Sequence, residues 1–197
     1  MIVDVGMNWL SHVSAIGLLA ALAYALAWVP MFVFRVETIS KALPFYEPVE
    51  RFTVRLAPLI MTVHVTLACF LLSYQPPTLP RLGAGGALFV GALGFWRWAR
   101  GLIGPIQTRR LPQEPPLSFR RDGAFAWVRH PLYLSYVIAS LAPVVATGSG
   151  VLLVTFVACF AVIAVRATQE ERRLRDQIGA EYDEYCRRVR RLVPFVW

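Results

Sequence analysis

The residues best suited to chemistry lie at the ends of apolar runs. They are an Arg-His-Pro-Leu-Tyr segment at residues 129–133, and the adjacent pair Glu170 and Glu171. Charged side chains beside hydrophobic spans are costly in a bilayer and tend to mark a polar site. A carboxylate placed there needs a cationic partner, or a ligand that carries cationic or hydroxyl groups. We therefore interpret these residues as a cofactor pocket at the membrane–water boundary.

His130 is predicted to stand at the N-terminal boundary of a helix, because Pro131 follows it and proline favours the first helical turn. The N–H groups of that turn have no partner within the helix and are free to meet a carboxylate or phosphate-like group. Arg129 and Tyr133 flank the histidine, and Tyr133 is one turn on, so these side chains can face one cavity. A structural role is the alternative for a lone histidine at such a boundary.

The two glutamates differ in their predicted direction. Glu170 and Leu174 are four residues apart, which places Glu170 at the head of an inward-facing apolar stripe. Glu171 should then point about 100 degrees away, towards the flank of the helix. The alternative is a structural salt bridge that caps the last span, with Arg166 and Arg173 as the nearby partners in sequence.

The composition is that of an integral membrane protein. Of the 197 residues, 57% are hydrophobic, and the mean hydropathy is +0.54. Only 16% are charged, whereas soluble domains carry about 25%. The three cysteines form no CxxC pair and have no metal-ligand spacing, so we expect neither a disulfide framework nor a metal site. The N-terminus lacks a basic segment before its first apolar run, so a cleavable signal peptide is not expected.

The positive charge follows membrane topology. If five spans are drawn, every one of the 20 basic residues except Arg81 falls on one side, which is the positive-inside pattern. We therefore expect the N-terminus outside and the C-terminus in the cytoplasm, in a bacterial inner membrane. The net charge of +8 then favours anionic lipid surfaces and does not indicate nucleic-acid binding.

These patterns predict an all-α fold, an integral membrane bundle of about five transmembrane helices with an amphipathic cytosolic C-terminal helix. The predicted spans are residues 9–34, 54–74, 82–103 and the two arms of 131–165. Each arm of this last, short hairpin has about 16 residues, with Gly148 and Gly150 at the turn. Gly179 is expected to break the C-terminal helix.

Two connectors lie between the predicted spans, and the chain as a whole divides into two halves. Residues 35–55 read as a polar, basic connector, formed by a loop or a short surface helix, and residues 104–128 as a long ordered loop with several prolines. We treat residues 1–197 as one membrane domain. Residues 1–103 supply the N-terminal spans and residues 104–197 the cofactor-binding half.

Residues 119–194 resemble the C-terminal half of the isoprenylcysteine carboxyl methyltransferase family, whose membrane relatives include phospholipid N-methyltransferases. The family pattern has a glycine element, Arg-His-Pro-x-Tyr-x-Gly, a hydrophobic hairpin, Glu-Glu, and a Gly-x-x-Tyr-x-x-Tyr tail ending in Arg-x-x-Pro. The matching positions here are Gly123, residues 129–134, Glu170, Glu171, Gly179, Tyr182, Tyr185, Arg191 and Pro194. Two positions depart from the pattern, since Phe125 stands for a tyrosine and Ser135 for a glycine.

The resemblance implies that S-adenosylmethionine binds between the 129–133 segment and the Glu-Glu helix, under a roof formed by the cytosolic loop and tail. The implied cofactor-binding residues are His130, Pro131, Tyr133, Glu170, Glu171 and Tyr182, and the implied catalytic residues are Arg129 and Glu170. Aromatic faces in such a pocket would favour the sulfonium of the cofactor through cation–π attraction.

The predicted function is methyl transfer to a lipid-like or isoprenyl-type acceptor at the cytosolic membrane face. The arginines of residues 97–121 slightly favour an anionic acceptor. Two alternatives stay open: an NADPH-dependent sterol or lipid reductase on the same scaffold, and a non-catalytic lipid-binding membrane protein. The expected partners are membrane lipids and a hydrophobic small molecule, and the oligomeric state is left open.

Overall fold

The structure is a computed structural model that describes residues 15–42, 48–74, 77–103 and 120–192, with side chains only up to residue 33 in the first range. Regular structure in these ranges is helical, apart from one isolated backbone bridge. The helices are α1 (Ala15–Ala42), α2 (Pro48–Tyr74), α3 (Leu79–Leu102), α4 (Pro131–Thr147), α5 (Gly150–Ile178) and α6 (Ala180–Arg188), with a short 3₁₀ turn at Gly123–Ala126.

Among the described residues, three helices are long and apolar enough to cross a membrane, namely α1 over Ala15–Val33, α2 and α5. The apolar helix α4 is shorter, at 17 residues, and the glycine-rich α3 has 24 residues, or about 36 Å. Many large apolar side chains of the spans are exposed, such as Leu19 at 67% and Val154 at 70%. Lipid accommodates such a surface, whereas water does not. The predicted fold class, an all-α integral membrane bundle, is confirmed.

Helices α3 and α4 pack closely because Gly85 lies at their interface. A Cβ atom on Gly85 would come within 2.7 Å of both the Ala142 carbonyl oxygen and the Ala146 Cβ. Small residues permit this approach of two backbones in lipid. By contrast, a Cβ on Gly91 or Gly94 would meet nothing within 4 Å.

The two ends of the bundle differ in charge. At one end, Arg173 pairs with Glu50 through two hydrogen bonds, and the Thr53 hydroxyl donates to Gln169 at 2.8 Å. These contacts join the start of α2 to the end of α5. Arg81 lies at the opposite end, where its Nη1 is 3.2 Å from the place of a Cβ on Gly148. Arg173 and Arg81 thus lie at opposite ends of the bundle.

Two predicted element boundaries are wrong. Residues 35–42, expected in a connector, continue α1, and α2 begins at Pro48. The second arm of the predicted short hairpin does not end near residue 165, since α5 runs for 29 residues to Ile178. Its polar extension is rich in Arg, Gln, Glu and Ala, which are good helix formers, so the helix persists until Gly179.

Gly179 ends α5 and starts α6, as predicted. Its φ of 70° is in the region that favours glycine, and the helical backbone is interrupted at this residue. Of the predicted loop 104–128, residues 104–119 lie outside the described residues. Within the described part, the 3₁₀ turn Gly123–Ala126 leads directly towards the start of α4.

Candidate functional site

The start of α4 has the predicted geometry. His130 is the N-cap residue and Pro131 the first residue of the helix. The N–H groups of Leu132 and Tyr133 belong to the first turn, which has no acceptor within the helix. His130 is buried, with 6% of its surface exposed, and its ring stacks on that of Tyr133 with centroids 5.3 Å apart.

Glu171 is the centre of the polar cluster beside this helix start, and its side chain has no exposed surface. Its Oε1 accepts hydrogen bonds from Arg129 Nε at 2.8 Å, His130 Nε2 at 3.2 Å and Arg191 Nε at 3.0 Å. Its Oε2 accepts one from Arg191 Nη2 at 2.8 Å, and Arg175 Nη2 lies 3.7 Å away. Burying a carboxylate is tolerable here because cations and hydrogen bonds surround it.

The predicted direction of the two glutamates is therefore reversed. Glu171 points inward and Glu170 outward, with 47% of the Glu170 side chain exposed. The buried positions on this part of α5 include Ala167 and Glu171, four residues apart. The predicted salt-bridge partners are also different, because Arg173 pairs with Glu50 and Arg166 donates to Gln169.

Glu170 nevertheless borders the site, since its Oε2 lies 3.8 Å from His130 Nδ1. The ionised Glu171 carboxylate can only accept hydrogen bonds, so His130 Nε2 must carry a proton. In the neutral imidazole the other nitrogen, Nδ1, is then an acceptor. The exposed Glu170 carboxylate therefore lies beside the acceptor nitrogen of the buried His130 ring.

The C-terminal tail closes one side of the cluster. Arg129 N donates to the Arg190 carbonyl at 2.7 Å, and His130 N to the Arg191 carbonyl at 3.1 Å. Arg129 Nη1 donates to the carbonyls of Cys186, at 3.0 Å, and Val189, at 2.6 Å. The tail therefore fixes both the backbone before α4 and the Arg129 guanidinium.

Helix α6 adds a second attachment. The Tyr185 hydroxyl donates to the Phe125 carbonyl at 2.6 Å. Phe125 stands where the family pattern has a tyrosine, and its backbone is thereby bound to α6. Tyr182 is 2% exposed and lies against Tyr185, with ring centroids 5.9 Å apart. Burial and the nearby Glu171 charge raise the pKa of the Tyr182 hydroxyl well above its usual range, so this hydroxyl stays protonated.

Every predicted site residue thus lies near the start of α4, but these residues differ in the contacts that they make. The structure brings Arg129, His130 and Glu171 into direct contact and places Tyr133 and Glu170 beside them. The sequence reasoning named Arg191 as part of the tail pattern but did not identify it as a partner of Glu171. In the described residues no group of three or more His, Cys, Asp or Glu side chains is placed to hold a metal ion.

Comparisons with known proteins identify sequences similar to this chain. The sequence profile of the isoprenylcysteine carboxyl methyltransferase family matches residues 87–176. Methanethiol S-methyltransferase 1 of Bradyrhizobium diazoefficiens is 38% identical over 85 residues, which are 42% of this chain and 28% of that protein. Methanethiol S-methyltransferase of Pseudomonas sp. is 33% identical over 98 residues, 47% of this chain and 36% of that protein.

The chain therefore spans only about a third of the length of these curated relatives. No solved structure matches it. The matched residues include the start of α4 and the Glu-Glu pair, and they confirm the resemblance seen in the sequence. Residues 87–176 of this chain are thus similar to the isoprenylcysteine carboxyl methyltransferase family.

Proposed function

We propose that this protein is an integral membrane methyltransferase that uses S-adenosylmethionine and acts on a hydrophobic thiol at the cytosolic membrane face. The observation that carries the proposal is the meeting of His130, Tyr133 and Glu170 at one helix end. The names of the two relatives favour a small thiol. The lipid-like or isoprenyl-type acceptor predicted from the family resemblance is the competing acceptor in the test below.

The residues present fit the chemical groups of S-adenosylmethionine. The half-exposed Glu170 carboxylate suits its amino group or ribose hydroxyls, since an ionised carboxylate only accepts hydrogen bonds. The first-turn N–H groups of α4 suit its carboxylate. The stacked rings of His130 and Tyr133 suit its sulfonium. When bound, the cofactor supplies an electrophilic methyl group.

The protein's own residues would supply the rest of the chemistry. A thiol with an ordinary pKa of about 8.5 is mostly protonated at neutral pH, so its reaction is helped by a base. We assign that role to His130 Nδ1, which the bond from Nε2 to Glu171 leaves as the acceptor nitrogen. Glu170, 3.8 Å away, stabilises the imidazolium that results. Holding the two reactants in line would contribute most of the rate.

Arg129 takes an orienting role in this proposal. Its Nε is bound to Glu171 and its Nη1 to two carbonyls of the tail. Its charge lies next to His130 and balances Glu171, and it need not contact the acceptor. Tyr182 and Pro131 shape the walls of the site from the buried side.

Methyl transfer by the purified protein, measured with isotopically labelled S-adenosylmethionine, tests this function. The acceptors would be short alkanethiols, a prenylated cysteine, a phospholipid amine, and no acceptor. We expect labelled thioether from the thiols and loss of that product in His130→Asn. Product from the prenylated cysteine alone would move the acceptor to the isoprenyl class. No product from any acceptor, in protein that is folded and lipid-reconstituted, would contradict the proposal.

A further inference from the structure

We propose that Arg191, in the C-terminal tail, is a positioning residue that sets the orientation of His130 through Glu171. This inference rests on the proposed function for its effect on cofactor binding and turnover. The orientation itself can be measured without a cofactor. Arg191 lies 61 residues after His130 in the chain, since 191 − 130 = 61, so their contact depends on the fold.

Arg191 grips Glu171 with a two-point contact. Its Nε donates to Oε1 at 3.0 Å and its Nη2 to Oε2 at 2.8 Å. Such a bidentate pair fixes both the position and the plane of a carboxylate. A third donor of the same guanidinium, Nη1, lies 3.4 Å from the Thr168 hydroxyl of α5. The guanidinium is thereby fixed to the helix that carries both glutamates.

The carboxylate so fixed has little capacity for a ligand. A carboxylate offers about four lone-pair directions. Glu171 accepts four hydrogen bonds, three on Oε1 and one on Oε2, and it has no exposed surface. We therefore assign Glu171 to positioning and leave the contact with the cofactor to Glu170. This replaces the direct binding role that the family resemblance implies for Glu171.

The competing partner of Glu171 explains why Arg191 matters. Arg175, one turn later on α5, has its Nη2 3.7 Å from Oε2 and is 40% exposed. Without Arg191, Oε2 is free to move towards Arg175, and Oε1 turns away from His130. Arg191 opposes this rotation because its two hydrogen bonds hold both oxygens of the carboxylate.

Arg191 also reaches His130 through the backbone. The His130 N–H donates to the Arg191 carbonyl at 3.1 Å, beside a parallel bridge between Val128 and Arg190. The backbone bond holds the N-cap residue, and the side-chain route through Glu171 holds its ring. A substitution of the Arg191 side chain removes only the second route, which makes the side-chain contribution separable.

The test uses the full-length protein in lipid nanodiscs with ¹⁵N-labelled histidine. The chain has three histidines, and comparison with His130→Asn identifies the His130 signals. The variants are Arg191→Gln, Arg191→Lys and the control Arg188→Gln. Arg188 is on the same tail but pairs with Glu184 at the exposed surface, where its side chain is 75% exposed. The readouts are the ¹⁵N shift of His130 Nε2 and the affinity for S-adenosylmethionine.

We expect Arg191→Gln to move the His130 Nε2 signal and to weaken cofactor affinity at least about tenfold. Arg191→Lys should fall between, since lysine keeps the charge but cannot make the bidentate contact. Arg188→Gln should leave both readouts within about twofold of wild type. If Arg191→Gln fails to fold, the same two measurements on Arg191→Lys decide the test.

An unmoved His130 signal in folded Arg191→Gln, or in the Arg191→Lys substitute, would overturn the proposal, whatever the thermal stability. A moved signal with unchanged cofactor affinity would overturn the link to the reaction. If the wild-type protein binds no S-adenosylmethionine, the proposed function fails, while the His130 signal still decides whether Arg191 positions the ring.

Discussion

Two buried histidines in this protein have opposite surroundings. His64 lies in the middle of α2 and is 1% exposed. Its Nε2 donates to the Ser140 carbonyl at 2.9 Å, and its Nδ1 lies 2.7 Å from the Thr155 hydroxyl. His130 lies at the end of the bundle, where both ring nitrogens face carboxylates, at 3.2 and 3.8 Å.

The difference shows why burial alone does not identify a functional histidine. All polar partners of His64 are uncharged groups on α4 and α5, so the ring ties three helices together. The partners of His130 are charged, and one of them, Glu170, is half exposed. The same residue type therefore joins helices in one place and lies in a charged, partly exposed cluster in the other.

Removing the charge of Glu171 should produce the largest effect on the His130 region. Glu171→Gln leaves Arg129 and Arg191 buried without their counter-charge, and breaking a buried ion pair on one side costs about 3–5 kcal/mol. We expect that loss in the free energy of unfolding, together with loss of cofactor binding. Reversible denaturant unfolding in detergent measures it, with exposed Asp176→Asn as the matched control. A loss below about 1 kcal/mol would contradict the role given to the cluster.

His64→Ala should destabilise the bundle without touching the chemistry. It removes two hydrogen bonds between helices and leaves a void, which predicts a loss of about 1–3 kcal/mol. Cofactor affinity of the folded fraction should stay within about twofold of wild type. Unfolding curves and calorimetry on the same preparation separate the two effects. A tenfold loss of affinity would show that His64 belongs to the site.

His130→Asn should behave in the opposite way. The imidazole makes one hydrogen bond to Glu171, which keeps its other donors, so we expect a loss of about 1 kcal/mol in stability. Methyl transfer should fall at least about a hundredfold, because general-base catalysis typically contributes that much. The pair of histidine variants, assayed side by side for Tm and turnover, sharpens the comparison. If His64→Ala and His130→Asn changed Tm and turnover equally, the proposed difference between the two histidines would be wrong.

Cys69→Ser should give the smallest effect. The Cys69 thiol donates weakly to the Ala21 carbonyl at 3.6 Å between α2 and α1, and a serine hydroxyl can instead bond to a carbonyl of its own helix. We expect a change of less than about 1 kcal/mol in stability and unchanged cofactor affinity. Thermal unfolding and calorimetry measure both. Loss of binding in this variant would place α1 and α2 in the site.

The start of α4 was predictable because proline sets it locally. Pro131 fixes the first helical position, and the N-cap role of His130 follows from its neighbour. Gly179 was predictable for a similar reason, since the break between α5 and α6 has a positive φ, which favours glycine. Both features depend on one or two adjacent residues, which the sequence displays directly.

The direction of the glutamates was not predictable from periodicity. The stripe that includes Leu174 belongs to the polar end of α5, where that residue is only partly buried. The buried face at this end of α5 carries Glu171, which Arg129 and Arg191 contact. Arg191 arrives from the far side of the break at Gly179, so its contact depends on the angle of α6. A pattern of residues along one helix does not contain that angle.

Calorimetric titration with S-adenosylmethionine tests the central claim most directly, using the detergent-purified wild-type protein and Glu170→Gln. Glu170 is exposed, so its substitution should change stability by less than about 0.5 kcal/mol. We expect wild-type binding of S-adenosylmethionine and S-adenosylhomocysteine, no binding of NADPH, and an affinity at least about tenfold lower in Glu170→Gln. Unchanged affinity in that variant, or binding of NADPH alone, would contradict the account.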